Sequence, residues 1–344
     1  MTWAPRPAGV RASRPVIFRV AAGPRLGFGH LVRATRLAGA LGVRPLVSCR
    51  GRAHARGVAE SLGCQLVDGP PSSVLAARRP GLVIVDDPSG RHAARWCAAA
   101  KRAGTPVASI HDRGIGACDS DLLIDGSVTR NGHLRRRATA LLGPRYAVIE
   151  PRCASAARGE RHEAATPSVL IALGGGSRAR ACHVVVAALQ QLRPDLRLRI
   201  ASGFGDGPAG RTRGGVTWLP PLPSLFEELA MCTIAIVGGG VTAYEGCALG
   251  VPMVAVAAVA AQRPTIRALA AAGALLDGGR LFGESACHRA RACAIATQAI
   301  RLLGSAPMRS RLALAGRSLV DGRGAQRVAI KLLDLLGDVD RRAA

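Results

Sequence analysis

The chain has 344 residues, 49% hydrophobic and 20% charged, which excludes a disordered protein and suits two buried cores in lobes of about 150 residues each. Aromatics make up only 3%, so packing rests on Ala, Leu and Val, and no platform for stacked bases is visible. The net charge of +25 is almost all Arg, with Lys only at Lys101 and Lys331, and it is spread along the chain rather than gathered on one element. That spread argues against nucleic acid as a partner and for a positive field attracting an acidic small molecule.

Met1 to Arg14 is rich in Pro and Arg and reads as a flexible basic arm without the apolar core of a signal peptide. From residue 16, strand-like and helix-like segments alternate, the pattern of a parallel sheet flanked by helices. Val16 to Val20 reads as a strand, followed by a Gly-rich loop and a helix from Gly29 to Leu41. Strands are expected at Leu46–Cys49, Leu82–Asp86 and Pro106–Ile110, with helices over 53–62 and 91–103 between them. Residues 15–150 form the first expected lobe, and the polar, aperiodic stretch 151–167 is the linker. A second alternating series fills 168–337, with strands at Ser168–Leu173, Leu196–Ala201, Thr233–Val237 and Pro252–Val256. Helical stretches over 308–319 and 324–336 precede a basic tail at 338–344.

The ten cysteines include no C-x-x-C pair, and several sit in apolar stretches, which fits free thiols in a reducing, cytoplasmic setting. The longest apolar run, Val251 to Ala261, is broken by Pro252 and too short to span a membrane, so stable insertion is not expected. Oligomeric state has no signature in the sequence.

Ligands of such folds sit at the carboxyl ends of the strands, where Gly-rich turns enter helices. Three such turns stand out. In the first, Gly27-Phe28-Gly29-His30, the glycines allow close approach and the helix start offers free N–H groups to an anion. Val32 and Arg33 stand where a dinucleotide loop wants a third small residue, and Cys49-Arg50 stands where it wants an acid. Arg50 could still meet a 2′-phosphate, so an NADP reading survives on this motif. His30 is the candidate general base: the positive end of the helix dipole should favour a neutral ring. The alternative is a histidine that merely bonds the loop backbone.

The second turn, Gly174-Gly175-Gly176-Ser177, is a plausible diphosphate cradle or an ordinary strand-to-helix turn with Ser177 as N-cap. The third runs from Gly238 through Gly239 and Gly240 to Thr242 and Glu245. Thr242-x-x-Glu245 reads first as a capping box, with a ribose-binding role for Glu245 as the other option.

Taken in order, these segments resemble the UDP-sugar hydrolases of pseudaminic acid biosynthesis, which release UDP from UDP-2,4-diacetamido-2,4,6-trideoxy-β-L-altropyranose. The likeness rests on Phe18-Arg19, Gly27-Phe28-Gly29-His30 with Arg33, Asp121 to Asp125, Leu142 to Ile149, Gly174-Gly175, Thr242 to Glu245, Leu249 to Pro252 and Ala261-Gln262. It implies an α/β fold of two Rossmann-like lobes, the glycosyltransferase-B fold shared with MurG, with the active site in the interlobe cleft. It also implies His30 as the base that activates water at the anomeric carbon, Glu245 as the ribose acid, and a UDP-sugar as substrate without metal or cofactor. Gly27, Gly29, Arg33 and Asp86 would then line the sugar side. Gly174, Gly175, Gly176, Ser177, Gly239, Gly240, Thr242, Glu245 and Gln262 would line the nucleotide side. The chain departs from the family at Ala21, at Asp86-Asp87-Pro88 and at His111-Asp112, positions around the sugar. An inverting glycosyltransferase and a non-catalytic nucleotide-sugar binding protein are the alternative readings.

Overall fold

A computed structural model of the chain describes residues 14–23, 26–113, 118–129, 139–156, 167–174, 179–201, 203–204, 210–282 and 288–343. The expected basic arm and three expected cradle residues, Gly175, Gly176 and Ser177, lie outside the described residues.

The first lobe is built on β1 (Val16–Ala21), β2 (Leu46–Arg50), β3 (Gln65–Leu66), β4 (Leu82–Asp86), β5 (Val107–Ile110), β6 (Leu122–Asp125) and β7 (Ala140–Leu142). They form one parallel sheet in the order β3-β2-β1-β4-β5-β6-β7. β1, VIFRVA, and β4, LVIVD, are buried along their whole length. Such runs lack polar alternation because helices cover both faces of a parallel sheet. On one face Phe18, Ile84 and Ile124 pack with Leu31 and Leu37 of α1 (Gly29–Leu41). On the other, Ile17, Val83 and Val85 meet Trp96 and Cys97 of α4 (Gly90–Arg102). Between these helices lie α2 (Arg52–Ser61) and α3 (Pro71–Arg78).

The second lobe repeats the plan with β8 (Ser168–Ala172), β9 (Arg197–Ile200), β10 (Thr212–Arg213), β11 (Val216–Trp218), β12 (Ile234–Val237), β13 (Met253–Ala257) and β14 (Leu276–Arg280). Their order is β10-β11-β9-β8-β12-β13-β14, parallel except for the β10 edge. Its helices are α6 (Ala179–Leu192), α7 (Phe226–Met231), α8 (Val241–Leu249), α9 (Arg263–Ala271), α10 (His288–Leu303) and α11 (Ala306–Leu319). Each sheet reverses its strand order once, between β1 and β4 and between β8 and β12. A crevice opens at the carboxyl ends there.

Two segments depart from the expected boundaries. The linker was expected at 151–167, yet α5 (Cys153–Ala156) starts within it, and Cys153 is buried in the second lobe's core with Ala147 and Ile149. The last helix, α12 (Gly324–Ala343), also runs through the expected tail. Its Ala325, Val328 and Leu332 join the first lobe's core, beside α1 and the β5–β6 end of the sheet. Helical periodicity reveals an apolar face on 324–336 but not which sheet it covers. Gly324 allows this return, because a Cβ there would stand 2.1 Å from the Ala147 carbonyl oxygen.

Candidate active site

The loop after β1 is a tight hook. Gly23 and Gly27 exchange backbone hydrogen bonds of 3.0 and 2.7 Å, and Gly27 holds a φ of +81°, a region open chiefly to glycine. α1 then begins behind Phe28, with no side-chain cap and no acidic residue in its first turn. Its first N–H groups are left for an anion in the cleft.

His30 stands in that first turn, and its Nδ1 is 2.8 Å from Asp86 Oδ1 at the end of β4. The α-helical spacing puts Arg33 on the same face. Arg33 grips both Asp86 oxygens, with Nε to Oδ2 at 2.7 Å and Nη2 to Oδ1 at 2.5 Å. It also donates from Nη1 to Asp112 Oδ1 at 2.8 Å. Asp86 and Arg33 are buried, whereas His30 keeps some exposure and Asp112 is half exposed. With Nδ1–H donated to Asp86, Nε2 keeps its lone pair, the tautomer of a general base.

The expectation that the helix dipole keeps His30 neutral is corrected. Burial does oppose the imidazolium, but the Asp86 carboxylate outweighs it, and the pKa lies above the ordinary histidine value despite the repulsion from Arg33. Asp86 itself is held well below the usual carboxylate range: burial alone would raise it, and Arg33 and His30 overcome that cost.

The neighbouring Asp87 points to the opposite face of the sheet, as successive strand residues do. Arg50 holds it through Nη2 at 2.7 Å and Nε at 3.1 Å, Arg19 lies 3.3 Å away, and the Ser89 N–H donates at 3.0 Å. The guanidinium of Arg50 is thus engaged by Asp87, where a 2′-phosphate would need it free, which counts against the NADP reading.

Between the lobes lies a cavity of about 310 Å3. Gly27, Phe28, Gly29 and Arg36 line its first-lobe wall. Gly174, Gly240, Thr242, Glu245 and Gln262 line the opposite wall. Of the expected site residues, His30, Arg33, Asp86 and Gly239 are not among its lining residues; the first three sit as a separate charged cluster on the first lobe.

The glycines of the third turn serve close packing as well as the cavity. A Cβ on Gly238 would fall 2.6 Å from the Leu173 carbonyl oxygen, and one on Gly239 would fall 2.7 Å from the Gln262 carbonyl oxygen. Gln262 braces the same corner, its Oε1 accepting the Ala258 N–H at 2.8 Å.

The capping box is not formed. The N-cap of α8 is Gly240, without a side-chain cap bond, so Thr242 and Glu245 fall one and four positions inside the helix start. Glu245 turns instead to the first lobe, 2.6 Å from Arg36 Nη1 of α1, and accepts the Glu150 N–H at 3.3 Å. Both side chains are buried. Burial raises the Glu245 pKa, and Arg36 only partly offsets it. Two further contacts cross the cleft: Phe28 meets Phe204 edge-on at 5.3 Å, and the Val128 N–H donates to the Tyr244 hydroxyl at 3.1 Å.

Sequence reasoning missed Arg36, Phe204 and the Arg33 clamp on Asp112. Arg36 was detectable only as a basic residue one turn beyond Arg33; its partner is more than 200 residues away. Among the described residues no three His, Cys, Asp or Glu side chains gather as a metal-ligand set, and no helix is long and apolar enough to cross a membrane.

Solved structures with this arrangement include MurG of Acinetobacter baumannii, at a TM-score of 0.61 and 16% identity, covering 93% of this chain and 99% of that one. The chain has the glycosyltransferase-B fold. The same fold recurs in the UDP-GlcNAc 2-epimerase of Neisseria meningitidis bound to UDP-GlcNAc, at a TM-score of 0.62 and 12% identity, covering 93% of this chain and all of that one. Spinosyn rhamnosyltransferase SpnG, complexed with thymidine diphosphate, matches at a TM-score of 0.62 and 18% identity over 92% and 99% of the two chains. By sequence, the chain is 28% identical over 228 residues to the spore coat polysaccharide biosynthesis protein SpsG of Bacillus subtilis (strain 168). That match takes in 63% of this chain and 65%, just under two thirds, of the relative. No protein-family profile matches the chain.

Proposed function

We propose that this glycosyltransferase-B chain is an enzyme of glycan biosynthesis that acts on a UDP-sugar, breaking the bond between the anomeric carbon and UDP with His30 as general base. The observation that carries the reading is the His30–Asp86 pair of 2.8 Å, next in sequence to Gly29 of the cavity wall, since it leaves Nε2 free to take a proton. The name of the polysaccharide-biosynthesis relative supports the pathway class, and the Gly-rich cavity wall fits a nucleotide diphosphate.

In the reaction, an O–H nucleophile attacks the anomeric carbon from the face opposite UDP while its proton passes to His30 Nε2. The electron pair of the breaking C–O bond leaves on the β-phosphate oxygen. The uncapped start of α1 and the N–H groups of the second-lobe turns meet the charge that develops there. Arg33 keeps Asp86 ionised and fixed, and Asp86 fixes the ring. Glu245, once released from Arg36, would accept hydrogen bonds from ribose hydroxyls.

Water is the nucleophile in the first reading, a hydrolase, which agrees with the resemblance carried by Gly27 to Arg33. Transfer to an acceptor hydroxyl is the second reading and is at least as well supported, since structures of the same fold include rhamnosyl- and other glycosyltransferases. His30 lies outside the lining of the interlobe cavity and stays partly exposed, so an acceptor could also reach it. The test is UDP release from a panel of UDP-sugars, with and without candidate acceptors. Release without acceptor supports hydrolysis, and release only with acceptor supports transfer. Binding of UDP without turnover of any sugar rejects the enzyme reading.

A further inference from the structure

On the α4 face of the first lobe's sheet lies a group of polar side chains that the proposed chemistry does not use. Cys97, on the sheet-facing side of α4, has its Sγ 2.8 Å from Sγ of Cys118, which lies in the connection between β5 and β6. Both are buried, at 1% and 5% exposure. The gap exceeds a disulfide bond by only about 0.8 Å. His111 Nε2 and Ser109 Oγ are 2.8 Å apart, Ser109 Oγ and Ser120 Oγ are 2.6 Å apart, and both His111 and Ser109 hydrogen-bond Cys118. Two thiols facing each other in a layer otherwise built from Val, Ala, Ile, Leu and Trp are not required for packing, since a lone buried thiol behaves as a small hydrophobe.

From this geometry we infer that Cys97 and Cys118 are a redox modification site, a dithiol that a hydroperoxide converts to an intramolecular disulfide. Cys118 is the attacking sulfur. The hydrogen bond from Cys97 favours its thiolate more than burial opposes it, and His111 adds to the effect; Cys97 is shifted the other way. The Cys118 thiolate attacks one peroxide oxygen, and the O–O bond breaks. The departing hydroxide takes a proton to become water and leaves a sulfenic acid. Cys97 then loses its proton and attacks the Cys118 sulfur, expelling hydroxide, which takes up a proton to leave as a second water. Two thiols are oxidised and one hydroperoxide is reduced, and hydrogen peroxide balances the step as two waters.

The bond would join α4 to the segment that carries Asp112. Because Asp112 holds Arg33, and Arg33 holds Asp86, the cross-link would fasten the outer support of the His30 cluster. The site does not depend on the identity of the sugar or on the hydrolase reading.

The test treats folded protein with hydrogen peroxide at neutral pH, blocks remaining thiols with N-ethylmaleimide and digests with trypsin without reductant. Cys97 and Cys118 fall in separate peptides, 96–101 and 114–130. The expected product is these two peptides joined, lighter than their sum by two hydrogens, with loss of both alkylation labels and recovery of both after dithiothreitol. Cys97→Ser should abolish the linkage and leave Cys118 as a sulfenic acid trappable by dimedone. The inference is overturned if both peptides keep their labels while circular dichroism shows the native fold. Separate oxidation of each sulfur without linkage in the wild type overturns it as well, whatever the variant does.

Discussion

The two walls of the cleft reach a similar Rossmann-like plan by opposite chemical means. At the carboxyl end of the first sheet, function is written in charged side chains: His30, Arg33, Asp86 and Asp112 in one cluster, and Arg19, Arg50 and Asp87 in another. At the corresponding end of the second sheet, the described cavity wall is rich in glycine, with Gly174, Gly238 and Gly240 beside a single carboxylate, Glu245. In the proposed reading the first lobe supplies the base, His30, and the second lobe supplies most of the glycines that line the cavity. Arg36 with Glu245 is a buried charged contact between the lobes.

Substitutions in the first wall should separate turnover from binding. His30→Ala and Asp86→Asn should each lower kcat by about 10^2- to 10^4-fold, with the Kd for UDP changed little. The acid limb of the wild-type rate profile should lie above pH 6.5, because the base must be deprotonated and its pKa is raised. Asp86→Asn should move that limb downward, since the carboxylate supplies the raise. The same shift contributes to stability: the increment is complete below the unfolded histidine value and is lost as pH rises through the folded one. His30→Ala should remove that slope from a series of Tm values.

Cutting the joint should cost stability. Arg36→Met leaves the Glu245 carboxylate buried with only the Glu150 N–H, and loss of one partner of a buried pair costs about 3–5 kcal/mol. Calorimetry at neutral pH should show the loss, and acidification should recover part of it as the carboxyl protonates. Arg50→Ala should cost about 1–3 kcal/mol, since the buried Asp87 loses its bidentate partner but keeps the Ser89 N–H and a 3.3 Å contact with Arg19. A large loss of turnover there would place the second charge cluster in the chemistry. In the second wall, two glycines make a sharper contrast. Gly238→Ala drives a Cβ into Leu173 and should cost about 1–3 kcal/mol of stability. Gly240→Ala meets nothing within 4 Å and should cost stability only through the poorer N-cap, under about 1 kcal/mol, while weakening UDP binding, because the residue lines the cavity.

The apolar runs at β1, β4, β8, β12 and β13 made the two-sheet plan legible, because parallel strands buried on both faces leave no other reading of Val, Ile and Ala so concentrated. Shorter elements were hidden. β3 has two residues, and α3 opens on Pro70-Pro71, which reads as a break although proline suits the first turn of a helix. Gly27 to His30 was legible as a Gly-rich loop with a candidate base, but the upward shift of its pKa was not, because Asp86 lies 56 residues away. Glu245 was misread as a cap for the same reason: a local pattern pointed to Thr242, and the partner came from the other lobe. Local signals locate turns and strands; the charge state of a buried group belongs to contacts that only the fold makes.

The central claim is that one wall supplies the base and the other holds the nucleotide. It is tested most directly by measuring UDP release and UDP affinity together in wild type and His30→Ala, across UDP-sugars with and without acceptor. The account predicts turnover of at least one UDP-sugar by wild type, a loss of about 10^2-fold or more in His30→Ala, and closely similar UDP affinity in both. Undiminished turnover in His30→Ala, or no UDP binding by either protein, would contradict it.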